Sequence, residues 1–411
     1  MIETLLDPIR LVFLVSVALV LGVKWGGRSC EKLRLVAFLV LNGVLLGAWF
    51  GGNWQGVATC LVFALVIFGL IRISRFSAKA WIAALLLLLV LLALAKYNYP
   101  LWFPHPYRGG IWTRAIQSFL GMPNLKLTIG VSYLCFRLIH VLVDHRGGGI
   151  PKVELLPFLN YALFVPVSVS GPINRFEAFE RDLANPAPLA ARDLLNAIQR
   201  VILGLAKTIL LAGLISPYTL KNLEPAGPHA ALLLMAACVL YFVYIYADFS
   251  GYTDIAIGLG RLFGIQLPEN FNRPWLATNL QDFWNRWHMT LTGWIKTYVF
   301  FPLNLWLTRS HPAGAKQWNA VLSVLVAFIL IGIWHGNELN FVVFGLLHGG
   351  VIFLNMLLRK HRPQPLREHR GWALAWRRVA TVSFVSFSFI VFVYPLNDIP
   401  WLMRRAMGFE N

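Results

Sequence analysis

The chain has 411 residues, 58% of them hydrophobic and 13% charged, with 36 Lys and Arg against 18 Asp and Glu for a formal charge of +18. Soluble domains carry about a quarter charged residues, so this composition excludes an ordinary soluble domain. The positive surplus would suggest nucleic acid in a soluble protein, but basic loops kept on the cytoplasmic side of a membrane produce the same excess, and no nucleic-acid partner is expected.

A membrane span needs ~20 mostly apolar residues. In chain order, Leu11–Val23, Leu35–Phe50, Val57–Ile71 and Ala80–Ala95 read as the first four spans. Their continuous apolar character excludes a barrel, whose strands alternate in polarity. The first lacks a basic start and a small-residue cleavage site, so it reads as a retained helix. Lys24, Arg28, Lys32 and Arg34 lie between spans one and two, and Arg72, Arg75 and Lys79 between three and four, whereas Gly51–Gly56 is uncharged. That alternation places the basic loops in the cytoplasm and the N-terminus outside.

Tyr97–Leu127, rich in Pro, Gly and aromatics, reads as an interfacial loop. Thr128–Val143 is apolar but broken by Arg137 and His140, which suggests a tilted or re-entrant segment. Phe158–Pro172 is apolar, and a charged loop, Asn174–Asp193, follows. Leu194–Ser216 and Ala230–Tyr246 read as spans. From Ala247 to Leu307 the apolar pattern breaks at Asp248, Asp254, Asn270, Arg273, Asp282, Arg286 and His288. Polar groups at membrane depth are costly and face a protein interior or a cavity, so function is expected here. Val321–Trp334, Asn340–Leu358 and Val379–Tyr394 complete an all-α polytopic set of about ten to twelve spans in one domain, residues 1–411. The basic run from Arg359 to Arg378 is expected at the cytoplasmic face, near anionic lipid. No internal repeat marks a transporter.

Cys30, Cys60, Cys135 and Cys238 show no metal spacing and read as small hydrophobes. Three histidines stand out by setting. His335 lies in Gly332-Ile333-Trp334-His335-Gly336, His348 in Leu347-His348-Gly349-Gly350, and His288 in Trp284-Asn285-Arg286-Trp287-His288. Histidine exchanges a proton near neutrality, which suits a general base. A lone intramembrane histidine is more often a structural hydrogen-bonding residue; one set between Trp and Gly also fits a dry site that a ligand can approach closely. Metal binding needs three or four converging ligands, and these segments show no such spacing. No Ser or Cys nucleophile elbow occurs. Asp282 and Arg286 stand four apart and read as a pair, as do Asp248 and Tyr252, either as links between helices or as part of a site.

At these residues the chain resembles the membrane-bound O-acyltransferase (MBOAT) family. Asp248-Phe249-Ser250-Gly251-Tyr252-Thr253-Asp254, Glu269-Asn270-Phe271-Asn272-Arg273-Pro274, Phe283-Trp284-Asn285-Arg286-Trp287-His288 and Trp334-His335-Gly336 carry the likeness, over roughly residues 128–350. Gly130 to Arg137, Ser170 to Phe176 and Phe283 to Met289 are similar to the DltB group, which serves D-alanylation of teichoic acid. Asp254 to Gly260 and Glu269 to Asn272 are similar to the AlgI group of alginate O-acetylation. Lys296-Thr297 stands where the family usually has Arg-Asp, which removes a carboxylate near the expected cytosolic approach.

The resemblance implies a ring of helices around a thin centre crossed by a tunnel. It implies that His335 is the catalytic histidine and His288 the second, supported by Asp248, Tyr252, Asp254, Asn270, Asp282, Trp284, Arg286, Trp287, Trp334 and His348. No bound cofactor is implied. The donor is a D-alanyl phosphopantetheine thioester on a DltC-like carrier protein, or acetyl-CoA. An outer partner of DltD or AlgJ type, and location in a bacterial cytoplasmic membrane, follow from the same likeness. A D-alanyl ammonium in a narrow tunnel wants a carboxylate or carbonyl partner, for which Asp248, Asp254 and Asp282 are candidates; such aspartates occur in both groups. Lys296–Trp318 is mixed apolar and basic. Its Phe300, Phe301, Leu305 and Arg309 suit docking of an acidic carrier, or an interfacial helix lying in headgroups. Outside catalysis, a polymer or lipid transporter and a non-enzymatic scaffold are the competing classes.

Overall fold

The computed structural model describes residues 28–49, 54–96, 130–186, 190–222, 227, 229–310, 316–336, 338–360 and 371–409. Among them every regular element is helical. Six helical segments are long and apolar enough to cross a membrane: Val57–Ser74, Ala191–Tyr218, Ala230–Leu262, Trp318–His335, Leu339–Leu357 and Trp372–Val393. Ala78–Ala93 is a shorter apolar helix. The expected first span, Leu11–Val23, the whole of the loop Tyr97–Leu127 and residues 361–370 of the basic run lie outside the described residues. The chain divides into two compact units, Met1–Gly204 with Tyr252–Pro268, and Leu205–Gly251 with Glu269–Asn411.

The first unit holds α1 (Arg28–Trp49), α2 (Trp54–Ser74), α3 (Ala78–Lys96), α4 (Val131–Arg146), α5 (Leu155–Ala162), α6 (Phe176–Ala184) and α7 (Ala191–Leu205). Its core is aromatic: Phe38, Phe164, Phe179 and Phe263 meet at ring separations of 5.1–5.9 Å. Phe158–Pro172 is not one helix. α5 stops at Ala162 and a 3₁₀ turn, Val165–Val167, follows, because Pro166 has no N–H to continue the ladder. The side chain of Asn42 on α1 accepts the freed Val165 N–H at 3.0 Å. Arg34, read as a loop residue, is instead fully buried in α1, paired with Glu31 and donating to the Leu183 carbonyl. Arg75 donates to the Pro151 carbonyl at 2.9 Å, and Arg146 to the Ser74 carbonyl, so the basic segments after α2 and α4 are laced together.

α8 (Ala230–Leu262) runs sixteen residues past the sequence-based end at Tyr246. Asp248 and Asp254 interrupt the apolar pattern without ending the helix. Asp254 is satisfied by Arg200 Nε at 2.9 Å, so the carboxylate has a partner inside the protein. With 33 residues, α8 is about 50 Å long against a ~30 Å hydrocarbon core. Its residues up to Gly251 belong to the second unit and those from Tyr252 to the first.

The second unit adds α9 (Leu280–Trp284), α10 (Met289–Ile295), α11 (Phe301–Ser310), α12 (Lys316–His335), α13 (Leu339–Lys360), α14 (Trp372–Val393) and α15 (Ile399–Ala406). α14 begins seven residues before the expected Val379. α12 and α13 pack backbone to backbone. A Cβ on Gly332 would lie 2.2 Å from the Phe341 carbonyl oxygen, and one on Gly345 would lie 2.3 Å from that of Phe328. Gly332 with Gly336, and Gly345 with Gly349, put small residues four apart on facing helices, the spacing that allows such approach in lipid. This contact sets the position of His335, the last residue of α12.

Candidate active site

His335 closes α12 half-buried. Its ring lies 4.6 Å from Trp334 and edge-on to Phe392 at 5.0 Å. Phe392 in turn packs on Phe344 at 5.1 Å, so an aromatic wall backs the imidazole.

His288 comes from the segment between α9 and α10. It precedes α10 in a left-handed conformation, φ 44° and ψ 51°, uncommon for any residue but glycine. Two backbone bonds fix that turn: Met289 N–H donates to the Asn270 carbonyl at 2.9 Å and Asn272 N–H to the Arg286 carbonyl at 2.9 Å. Asn270 is fully buried, and its Oδ1 accepts from Thr290 Oγ1 at 2.6 Å and Thr290 N–H at 3.3 Å. That oxygen also faces His288 Nδ1 at 3.3 Å. An oxygen already receiving two protons is an acceptor, so Nδ1 carries the ring proton and Nε2 is the basic nitrogen. The ring packs edge-on to Phe249 at 4.7 Å, and its centroid is 6.3 Å from Trp334. Burial, and then the neighbouring His335, push the His288 imidazole down from its ordinary range, so it is neutral at physiological pH.

His348 answers differently. Trp284 Nε1–H donates to its Nδ1 at 3.2 Å, its Nε2–H reaches Ser388 Oγ at 2.9 Å, and Ser388 O–H donates to the Val385 carbonyl at 2.7 Å. Every proton in this chain has one direction, and His348 is fully buried. It is a neutral structural link and not a base. Ser388→Ala removes the acceptor of a buried N–H and should lower stability by about 1–3 kcal/mol. The checks are the unfolding midpoint in detergent and the remaining acyl transfer. His348→Ala should reduce transfer less than His288→Ala; equal mild losses would contradict these assignments.

Trp287 is packing: it stacks on Phe283 at 5.5 Å and Phe242 at 5.8 Å. Asp282 and Arg286 pair at 2.7 Å, and the other Asp282 oxygen accepts Thr278 N–H at 3.1 Å, so both hold the turn at α9. Tyr252 and Asp254 lie in the first unit, where Tyr252 donates to the Pro166 carbonyl at 3.2 Å. Asp248 is half-buried and forms no ion pair or hydrogen bond among the described residues.

A cavity of about 290 Å³ opens beside Trp284, lined by Ile295, Phe300, Phe301, Phe328, Ile331 and Met356, with Asn285 and Lys296 at its polar edge. Lys296 donates to Asn285 Oδ1 at 2.5 Å, and burial lowers its ammonium from the ordinary lysine range. The rim at Lys296–Phe300 is a π-helical turn, an irregularity frequent at functional sites. On α11, Phe301, Leu305 and Trp306 are exposed, and so is Arg309. Sequence reading did not find Ser388, Phe392 or Phe249. The paired small residues four apart in successive spans were the available signal for the α12–α13 contact.

Residues 145–396 match the MBOAT, or membrane-bound O-acyltransferase, family, and the chain belongs to it. This is a membrane-held acyltransferase. Among its relatives, the teichoic acid D-alanyltransferase of Bacillus subtilis strain 168 is 31% identical over 277 residues, 66% of this chain and 69% of that protein. The teichoic acid D-alanyltransferase of Streptococcus thermophilus is 28% identical over 402 residues, 89% of this chain and 94% of that one. The probable alginate O-acetylase AlgI of Azotobacter vinelandii is 26% identical over 387 residues, 92% and 73% of the two chains.

Proposed function

We propose that this protein moves a small acyl group, D-alanyl, from a cytosolic thioester to a hydroxyl of a cell-envelope polymer outside a bacterial cytoplasmic membrane. The observation that carries the reading is the pairing of two imidazoles in one unit, one of them held neutral, behind an aromatic wall. His335 takes the hydroxyl proton as the oxygen attacks the thioester carbonyl carbon. The C–S bond then breaks, and the proton passes from His335 to the departing thiolate. With its proton on Nδ1, His288 presents an acceptor, so it orients the hydroxyl and does not hold the oxyanion. The oxyanion falls to N–H donors of Trp334 or of the backbone near Gly336.

The donor reading rests on the cavity beside Trp284, which suits the arm of a phosphopantetheine thioester with its phosphate toward Lys296. A carrier protein would dock at α11 and the turn before it, through Phe300, Phe301, Leu305 and Arg309. Asp254 and Asp282 are already paired, which leaves Asp248 for the D-alanyl ammonium. An extracytoplasmic partner completes delivery to the polymer, and the N-terminus lies outside. Acetylation of an exopolysaccharide is the second reading, favoured by likeness to the alginate O-acetylase across 92% of the chain. Mass spectrometry of the envelope polymers from cells with and without the gene separates the two. Loss of D-alanyl esters is expected; loss of acetyl esters would transfer the assignment to the second reading, and unchanged esters would remove both.

A further inference from the structure

The first unit carries a buried cation that the acyl-transfer reading does not use. Arg137 on α4 is 1% exposed, with its guanidinium over the Tyr161 ring at 4.3 Å. Its Nε and Nη2 have no hydrogen-bond partner among the described residues. These two N–H groups lie along one edge of the guanidinium, the edge that grips two oxygens of a carboxylate or phosphate side by side. Asn174 is 3% exposed, and its Nδ2 and Oδ1 are likewise unpartnered. It flanks the same tyrosine, whose O–H donates to the Asn174 carbonyl at 2.7 Å.

Neither nearby carboxylate pairs with Arg137. Asp144 Oδ2 lies 2.9 Å from His140 Nδ1 and 3.4 Å from Arg175 Nη1. Glu177 Oε2 lies 3.2 Å from His140 Nε2, but that nitrogen accepts Phe176 N–H at 3.0 Å, so the carboxylate oxygen has no hydrogen-bond donor among the described residues, and it forms no ion pair with Arg137. A buried guanidinium with an unpaired edge is expensive unless an anion completes it.

We propose that Arg137 and Asn174 form an oxyanion site for a phosphate ester. The guanidinium edge takes two oxygens, Asn174 Nδ2 donates to a third, and Asn174 Oδ1 accepts from a hydroxyl beside the phosphate. Three donors match the tetrahedral oxygens of phosphate better than the two of a carboxylate. The source is a soluble phosphate or a lipid headgroup, and the site is independent of the acyl donor and acceptor.

The test is the unfolding midpoint of the full chain. One arm uses neutral detergent with inorganic phosphate against chloride at matched ionic strength. The other uses phosphatidylcholine nanodiscs with and without phosphatidylglycerol. A rise of roughly 3–5 °C is expected for the wild type. Arg137→Gln should abolish it, and Asn174→Ala should at least halve it. Arg137→Lys keeps the charge but not the edge and should also lose at least half; it carries the test if the glutamine variant does not fold. A response to inorganic phosphate identifies a soluble ligand, and a response to phosphatidylglycerol alone identifies a headgroup. An equal rise in all variants, or no rise with either probe, would overturn the site.

Discussion

His335→Ala should reduce acyl transfer by at least 10²–10⁴, the usual worth of a positioned base, equivalent to roughly 3–5 kcal/mol of barrier. The residue ends α12 half-buried, so the variant should express and melt close to the wild type. The measurement is ester formation on the envelope polymer in membranes with matched protein levels. Transfer at the wild-type rate would take the catalytic role from His335. His288→Ala should also lose transfer, but there the turn contributes: alanine resists the left-handed backbone at φ 44°. His288→Asn tolerates that backbone and keeps a donor toward Asn270, so its loss of activity reports on the imidazole alone.

The second large effect is structural. Gly332→Val would drive a side chain into the Phe341 carbonyl, a backbone atom that cannot move aside without parting α12 from α13. Overpacking of this kind costs about 1–3 kcal/mol where neighbours yield, and more where they are backbone. Loss of folded protein in detergent extracts is expected, with activity lost in proportion. Gly350→Ala is the control: nothing lies within 4 Å of the added methyl, and yield and melting should be unchanged. Equal tolerance of both would mean that the close approach does not support the fold.

Much of the architecture is readable from hydropathy because lipid demands continuous apolar helices; α2, α3, α12 and α13 lie close to their sequence-based positions. The failures share a cause. Asp248 and Asp254 suggest a break, yet α8 continues, since Asp254 meets Arg200, 54 residues earlier in the chain, and hydropathy does not see partners. Phe158–Pro172 reads as one apolar stretch, yet Pro166 and the Asn42 side chain turn it into two short pieces. At the site, the Trp-His-Gly and Trp-His motifs point to His335 and His288, and both rings lie in the second unit beside Trp334. What they do not reveal is which histidine is locked: His348 resembles His335 in sequence, and only Ser388 and Trp284 on other elements fix its protons.

The left-handed residue at His288 has a consequence for how position 288 tolerates change. Ordinarily a buried site ranks substitutions by volume and greasiness. Here conformational ease and chemistry pull in opposite directions: glycine, asparagine and aspartate would relax the kink, while valine and isoleucine, good fillers elsewhere, would fit it worst. On the proposed reading, the kink is the toll the fold accepts for keeping an imidazole where glycine would rest more comfortably.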